Sequence, residues 1–233
     1  MLKIKKLLKI TVVCVSALVV LFSFTCCATL RPSHLNHHEQ HYRHKTAAGR
    51  AKQLLKIKQW SINGSFLVQF PDPQSSTHAL KAEMARFTWQ QSSDPQTFTV
   101  TINANFNVAS VVIRSTPSGV TLVTGKNHLS HSYTSVEALT QDQFGFTLPF
   151  SNLYYWIRGL PTTDTTKDLD NQYDQYGHLI ITHSGDWTAS LLAQQYVSTP
   201  RGDLPLKIKI KNTKKRLFLV IKSSKDGWES VHA

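Results

Sequence analysis

The three cysteines all lie near the start of the sequence, where they could carry covalent chemistry. Cys14 falls within an apolar run, whereas Cys26 and Cys27 follow that run in the segment FSFTCCA, residues 22–28. A large apolar residue followed by small residues ending in cysteine is typical of bacterial lipoproteins, whose signal is cut just before a diacylated cysteine. We predict acylation of Cys27, which leaves small groups at the cut, with Cys26 as the alternative.

The residues before these cysteines have the composition of an export signal. Four lysines lie within residues 1–9, and residues 10–24 carry no charge. A basic start before a short apolar run predicts a signal peptide, here 1–26, because a helix that crosses a membrane needs roughly twenty apolar residues. Since Ala28 rather than Asp follows Cys27, we expect an anchor in the outer membrane that faces the periplasm. A plain secretory signal is the alternative.

Charge narrows the classes of partner. The formal net charge is +12, and removal of the four signal lysines leaves +8 on the mature chain. Such a balance favours nucleic acid, anionic lipid or an acidic protein. Export excludes nucleic acid, and the other two remain open.

Sites for metals and for catalysis are weakly supported. The five histidines in residues 34–44 could hold a metal such as zinc or copper, but no cluster of cysteines or carboxylates completes a ligand set, so we interpret residues 27–45 as a flexible tether. Asp164, Asp168, Asp170 and Asp174 lack the glycine and final glutamate of a calcium loop. The nucleophile, zinc-protease and phosphate-loop motifs are absent from the mature sequence. We therefore expect neither an enzyme nor a cofactor.

Alternation of apolar and polar residues dominates the rest of the chain. After a short helix predicted over 47–56, apolar residues recur at every second position in segments such as Trp60–Phe70 and Leu204–Ile210. This period predicts antiparallel strands with one buried and one solvated face. Nine or ten strands at hairpin spacing indicate one strongly curved or barrel-like domain over 46–224, followed by a tail at 225–233.

Two helices interrupt the strands. Thr134 and Glu137 have the spacing of a capping box and predict a helix that opens near Val136. A second helix is predicted over 150–158, after Pro149 and before Gly159. Its apolar face must cover something apolar, and the concave side of the sheet is the nearest candidate. Because no long apolar stripe lies outside this core, we expect a monomer.

Over residues 46–222 the sequence resembles the LolB family of outer-membrane lipoprotein receptors. The similarity is carried by WSINGSF at 60–66, ARFTWQQ at 85–91 and LPFSNL at 148–153, which runs into WIRGLP at 156–161. The last block, a helix that starts after proline and ends in Trp-x-x-Gly-Leu-Pro, is the most specific of the three.

The resemblance implies a mainly β fold, an unclosed antiparallel β-barrel with a helical lid that encloses an apolar cavity. It also implies that the protein accepts lipoproteins from the periplasmic carrier LolA and places their acyl chains in the lipid of the outer membrane. An outer-membrane-anchored β domain with a structural or scaffolding role is the alternative. The residues expected to form the cavity and lid are Phe66, Trp89, Leu148, Leu153, Trp156 and Ile157.

Two further roles follow from the resemblance. The family has a loop between two early strands whose apolar tip enters the membrane, and that loop corresponds here to Asn105, Phe106 and Asn107. The family's proline and glycine are replaced by asparagines, which also tolerate turns. Phe106 could instead continue the buried face of the preceding strand. Arg86, which lies between aromatic residues, is expected to tie the sheet to the lid.

Overall fold

A computed structural model describes residues 37–72, 75–77, 79–104, 110–125, 129–162, 171–192, 196–199 and 202–229. The signal peptide, both candidate acylation cysteines and the loop residues Asn105, Phe106 and Asn107 lie outside these ranges. By its internal contacts the chain divides into Met1–Glu39, nearly all of which also lies outside them, and a compact unit, Gln40–Ala233.

The first described element is a helix that begins earlier than the sequence predicted. Helix α1 spans His37–Leu54, so residues 37–45, expected to belong to a tether, are helical. Apolar periodicity, on which the prediction rested, is weak there because most of these side chains are polar. Neither proline nor glycine interrupts 37–48, so the helix that continues to Leu54 extends back through these residues by adding turns to an existing helix.

An eleven-stranded antiparallel sheet forms the body of the protein. Its order is β6-β5-β4-β3-β2-β1-β13-β12-β9-β8-β7, and its two outer strands, β6 and β7, do not pair with each other. The predicted unclosed antiparallel sheet is therefore confirmed, with β10 and β11 forming a separate hairpin. The strands are β1 Trp60–Pro71, β2 Leu80–Gln91, β3 Phe98–Ala104, β4 Val111–Thr116, β5 Gly119–Thr124, β6 Leu129–Tyr133, β7 Gln172–Tyr173, β8 Leu179–Ser184, β9 Trp187–Leu191, β10 Tyr196–Thr199, β11 Gly202–Pro205, β12 Lys207–Asn212 and β13 Leu217–Glu229.

Alternation along these strands separates an apolar inner face from a polar outer face. On β12, Ile208 and Ile210 are buried, whereas Lys209 and Lys211 between and beyond them are exposed. Strand β2 follows the same rule. The inner face is the core of the domain, and the two remaining helices lie against it.

These helices begin where the sequence predicted. Helix α2, Val136–Phe144, is capped by the Ser135 side chain, which accepts a hydrogen bond from the backbone N–H of Ala138, so Ser135 rather than Thr134 is the cap. Helix α3, Phe150–Trp156, follows Pro149, and Gly159 beyond it has φ 72°. Glycine adopts this left-handed conformation without steric cost, which allows the chain to turn after the helix.

Candidate functional site

The residues expected to form the cavity and lid come together on the inner face of the sheet. They belong to one apolar cluster, in which Trp89, Leu153, Trp156 and Ile157 are buried and Phe66 and Leu148 are partly buried; Trp156 and Ile157 have 0% exposure. Alternation on the strands directs Phe66 and Trp89 inward, and helical spacing on α3 does the same for Leu153 and Trp156. Their mutual packing is observed, while their role in holding acyl chains stays a prediction.

An aromatic seam joins α3 to the sheet. Phe150, the first residue of the helix, stacks on Trp89 with ring centroids 4.7 Å apart and on Phe98 at 5.1 Å. One turn later, Tyr154 lies 6.2 Å from Trp60. Aromatic pairs at these separations contribute about 0.5–1.5 kcal/mol each beyond their burial. These ring contacts therefore hold the helix against the sheet.

Phe150, Tyr154 and Trp60 were not among the residues predicted for this site. A signal was available in the sequence, because Phe150 and Tyr154 are four residues apart and so share one face of the helix. Trp60 lies at the inward position of β1, two residues before Ile62.

Arg158 ties this helical segment to the rest of the domain from a buried position. The side chain is only 1% exposed, and its guanidinium donates from Nε to the Tyr154 carbonyl at 3.1 Å and from Nη1 to the Ile57 carbonyl at 3.3 Å. It also lies 4.1 Å from the centre of the Tyr154 ring. Burial lowers the pKa of Arg158, while Tyr154 partly offsets the shift. The contact with Ile57 spans 101 residues of sequence.

Arg86 does not occupy the position predicted for it. Its neighbours on β2, Ala85 and Phe87, are buried, whereas Arg86 is exposed on the opposite, outer face of the sheet. The helices pack against the inner face, so the predicted tie between Arg86 and the lid is corrected: Arg158 instead links the end of α3 to Ile57, in the segment that precedes β1. Alternation along β2 could have shown this, because Arg86 is out of phase with Phe87 and Trp89.

A cleft opens beside the aromatic seam. Its volume is about 260 Å³, and its apolar lining includes Trp89, Phe98, Val120, Val136 and Phe150. Most small-molecule sites measure roughly 300–1,000 Å³. The cleft is therefore slightly smaller than a usual small-molecule site.

A polar cluster connects α1 to the β-hairpin and to the turn before β8. His178 Nδ1 lies 2.7 Å from Asp174 Oδ2, and His178 Nε2 lies 3.0 Å from Asp203 Oδ2. Arg50 donates to the same Asp203 oxygen at 3.2 Å, and the imidazole stacks on Tyr196 at 4.2 Å. The hydrogen bond from His178 lowers the pKa of Asp203, and Arg50 acts in the same direction. The cluster therefore fastens α1 to the domain.

With this geometry established, the chain can be compared with known proteins. The family model described as Outer membrane lipoprotein LolB matches residues 58–223, well over half of the chain. The chain belongs to the LolB family. Its members are outer-membrane lipoproteins by name, and in the part of the chain that the structure describes no helix is both long and apolar enough to span a bilayer.

Individual LolB proteins also match this chain over most of their length. The outer-membrane lipoprotein LolB of Coxiella burnetii (strain RSA 493 / Nine Mile phase I) is 32% identical over 197 residues, which cover 84% of this chain and 85% of that protein. The LolB of Cellvibrio japonicus (strain Ueda107) is 28% identical over 215 residues, covering 90% and 94%. Among solved structures, a LolA superfamily protein from Nitrosomonas europaea matches with a TM-score of 0.42 at 10% identity, covering 80% of this chain and 94% of that one.

Proposed function

We propose that this LolB-family protein accepts lipoproteins from the soluble carrier LolA and inserts their acyl chains into the outer membrane. The observation that carries the proposal is the apolar inner face of an open sheet, covered by a short helix through aromatic contacts and one buried arginine. Each methylene of an acyl chain that is buried contributes about 0.8 kcal/mol of binding free energy. It can therefore replace the contacts between α3 and the sheet without a large net cost.

The proposal includes an anchor and an insertion loop. Cys27, or alternatively Cys26, carries the lipid after removal of the signal peptide, and the monomeric domain faces the periplasm. Ala104, the last residue of β3 before the loop of Asn105, Phe106 and Asn107, pairs with Ala85. Two exposed apolar residues, Met84 and Leu80, lie on the same strand toward the same end of the sheet, 55% and 50% exposed. These exposed side chains support apposition of that end to the bilayer.

The experiment that tests the proposal is direct transfer. Purified carrier is loaded with a fluorescently labelled lipoprotein and mixed with this protein lacking its signal and lipid. Label is expected to move to this protein and then to liposomes. Failure to accept label from a carrier that delivers to an established LolB would exclude the receptor function.

One observation favours the alternative, an anchored β domain with a structural or scaffolding role. The inner-face residues pack into a core, and the adjoining cleft of about 260 Å³ is small. A displaceable apolar dye distinguishes the two functions. Stoichiometric binding that a fatty acid reverses supports the receptor, whereas no uptake supports the scaffold.

A further inference from the structure

The outer face of the sheet carries a row of polar and cationic side chains that crosses five strands. Strand pairing places the five residues at the same level, each directly opposite the next: Lys207 on β12, Lys222 on β13, Ser65 on β1, Arg86 on β2 and Asn103 on β3. Arg86 and Lys222 both flank Ser65, so their backbones are about 10 Å apart, two strand spacings. Both side chains are exposed, and within the described residues neither forms an ion pair.

A groove of about 480 Å³ opens at this row. Its walls include Arg86, Lys222, Ser65, Asn103 and Asn63, and its described lining contains no carboxylate. The volume lies within the roughly 300–1,000 Å³ of small-molecule sites. Hydrogen-bond donors converge on the groove from four strands, and no carboxylate among its described lining residues balances the positive charges of Arg86 and Lys222.

Irregular pairing of β1 with β13 shapes the groove. Ile62 pairs with Trp228 but Gly64 pairs with Ser223, so β13 carries three additional residues at this point. A Cβ on Gly64 would lie 2.2 Å from the Lys222 carbonyl oxygen, so only glycine permits this approach of the two strands. The local bulge opens the sheet beside Lys222, where an even ladder would leave a flat surface.

The Asn63 side chain supplies a further polar group to the groove. Thr88 donates to the Asn63 side-chain oxygen at 2.7 Å, which orients the amide so that its NH₂ group remains as a donor. The Ser65 hydroxyl, which lies between Arg86 and Lys222 in the row, is a second donor.

We propose that this groove binds a phosphate group, held between Arg86 and Lys222. Guanidinium and ammonium groups form charge-assisted hydrogen bonds with phosphate oxygens, and the surrounding amides and hydroxyls complete the set. The phosphate belongs to a phospholipid headgroup or to a soluble phosphate ester. The groove lies on the face of the sheet opposite the apolar core, so this site is separate from the acyl-chain site.

The test measures the reactivity of individual lysines in the full-length protein. The protein is held in non-ionic detergent with increasing sn-glycerol 3-phosphate, or in liposomes of phosphatidylethanolamine and phosphatidylglycerol. An amine-reactive reagent and mass spectrometry then follow each lysine. Lys211 is the internal control, because it lies on the same outer face about 13 Å along β12 from the row that contains Lys222.

Saturable protection of Lys222, with Lys211 unchanged, is the expected result. Protection by glycerol phosphate identifies a soluble ester as sufficient, and protection in liposomes alone identifies a lipid headgroup. Arg86→Gln is expected to weaken the protection about tenfold or more, the effect of losing one charge-assisted partner. Lys211→Gln removes the same charge outside the groove and should preserve it.

Three results would overturn the proposal. The first is no protection of Lys222 under either condition, and the second is equal protection of Lys211 and Lys222. The third is equal weakening by Arg86→Gln and Lys211→Gln, which would indicate general attraction of anions to a basic surface. Circular dichroism of each variant verifies that the fold is retained. None of these measurements depends on lipoprotein transfer.

Discussion

The guanidinium of Arg158 lies 4.1 Å from the centre of the Tyr154 ring, and the same side chain donates hydrogen bonds to the carbonyls of Tyr154 and Ile57. Arg158, just after α3, therefore links the last turn of that helix to the segment that precedes β1. If α3 is a lid that opens for acyl chains, the strength of this tie sets the cost of opening.

Arg158→Ala is expected to loosen the segment around α3. The substitution removes two hydrogen bonds and the packing over Tyr154, which we estimate at about 2–4 kcal/mol of unfolding free energy. Hydrogen exchange in residues 150–159 should increase. Arg86→Ala is the matched control, because it truncates an exposed arginine and should change stability by less than about 0.5 kcal/mol. Unchanged exchange in the Arg158 variant would show that this residue does not restrain the helix.

Phe150→Ala is expected to enlarge the cleft beside the aromatic seam. Loss of the ring removes the contacts with Trp89 and Phe98 and should cost about 2–4 kcal/mol of stability. A fluorescent fatty acid should bind more tightly, because the helix yields more easily and the space is larger. Tyr176→Ala, which truncates an aromatic side chain that is 63% exposed, serves as the control. Equal fatty-acid affinity in both variants would count against entry of the chain at this seam.

Substitution of two glycines by alanine should shift stability in opposite directions. Gly64→Ala places a Cβ against the Lys222 carbonyl and should destabilise the domain by about 1–3 kcal/mol through overpacking. Gly49→Ala lies in α1 with nothing within 4 Å of the new methyl group, and should stabilise by about 0.5–1 kcal/mol. Thermal unfolding of the two variants measures both effects. A neutral Gly64 variant would mean that β1 and β13 can separate without cost.

Acid should weaken the attachment of α1. Because His178 lowers the pKa of Asp203 below its usual 3.8, this carboxylate stabilises the folded state above that pH, and the contribution is lost as the pH falls below it. Asp203→Asn should remove this part of the pH dependence. Asp186→Asn is the control, since that exposed carboxylate pairs with Lys214 outside the cluster. The measurement is hydrogen exchange of residues 46–54 in the two variants, followed from pH 5 to pH 2.5. Identical profiles in the two variants would contradict the proposed attachment.

Phe106→Glu should separate acceptance of a lipoprotein from its delivery. A charged tip opposes insertion into hydrocarbon, so label should still leave the carrier but should no longer enter liposomes. Phe106→Leu is the control that keeps a large apolar side chain and should preserve delivery. Unimpaired delivery by the Glu variant would exclude Phe106 as the membrane-entering residue.

Local patterns were sufficient to predict most of the elements. Alternation of Ile208 and Ile210 with lysines predicted a half-buried strand. Pro149 marked the start of α3, and Gly159 marked the turn that follows it. These signals depend only on neighbouring residues in the sequence, so they can be recognised without knowledge of the fold. The start of α1 was missed because a polar helix has no apolar periodicity.

By itself, the sequence determined the strand period, the starts of α2 and α3, the apolar set of the inner face, and the resemblance to the LolB family. Only the tertiary structure decided that Arg158 is buried and donates to the Ile57 carbonyl, that Asp174, His178 and Asp203 meet, and that Arg86 and Lys222 border one groove. The physical reason is that the groups in each set come from different elements of the fold. Ile57 lies 101 residues from Arg158, and Lys222 is on a different strand from Arg86. Strand order and register, which depend on the packing of the whole sheet, bring such groups together.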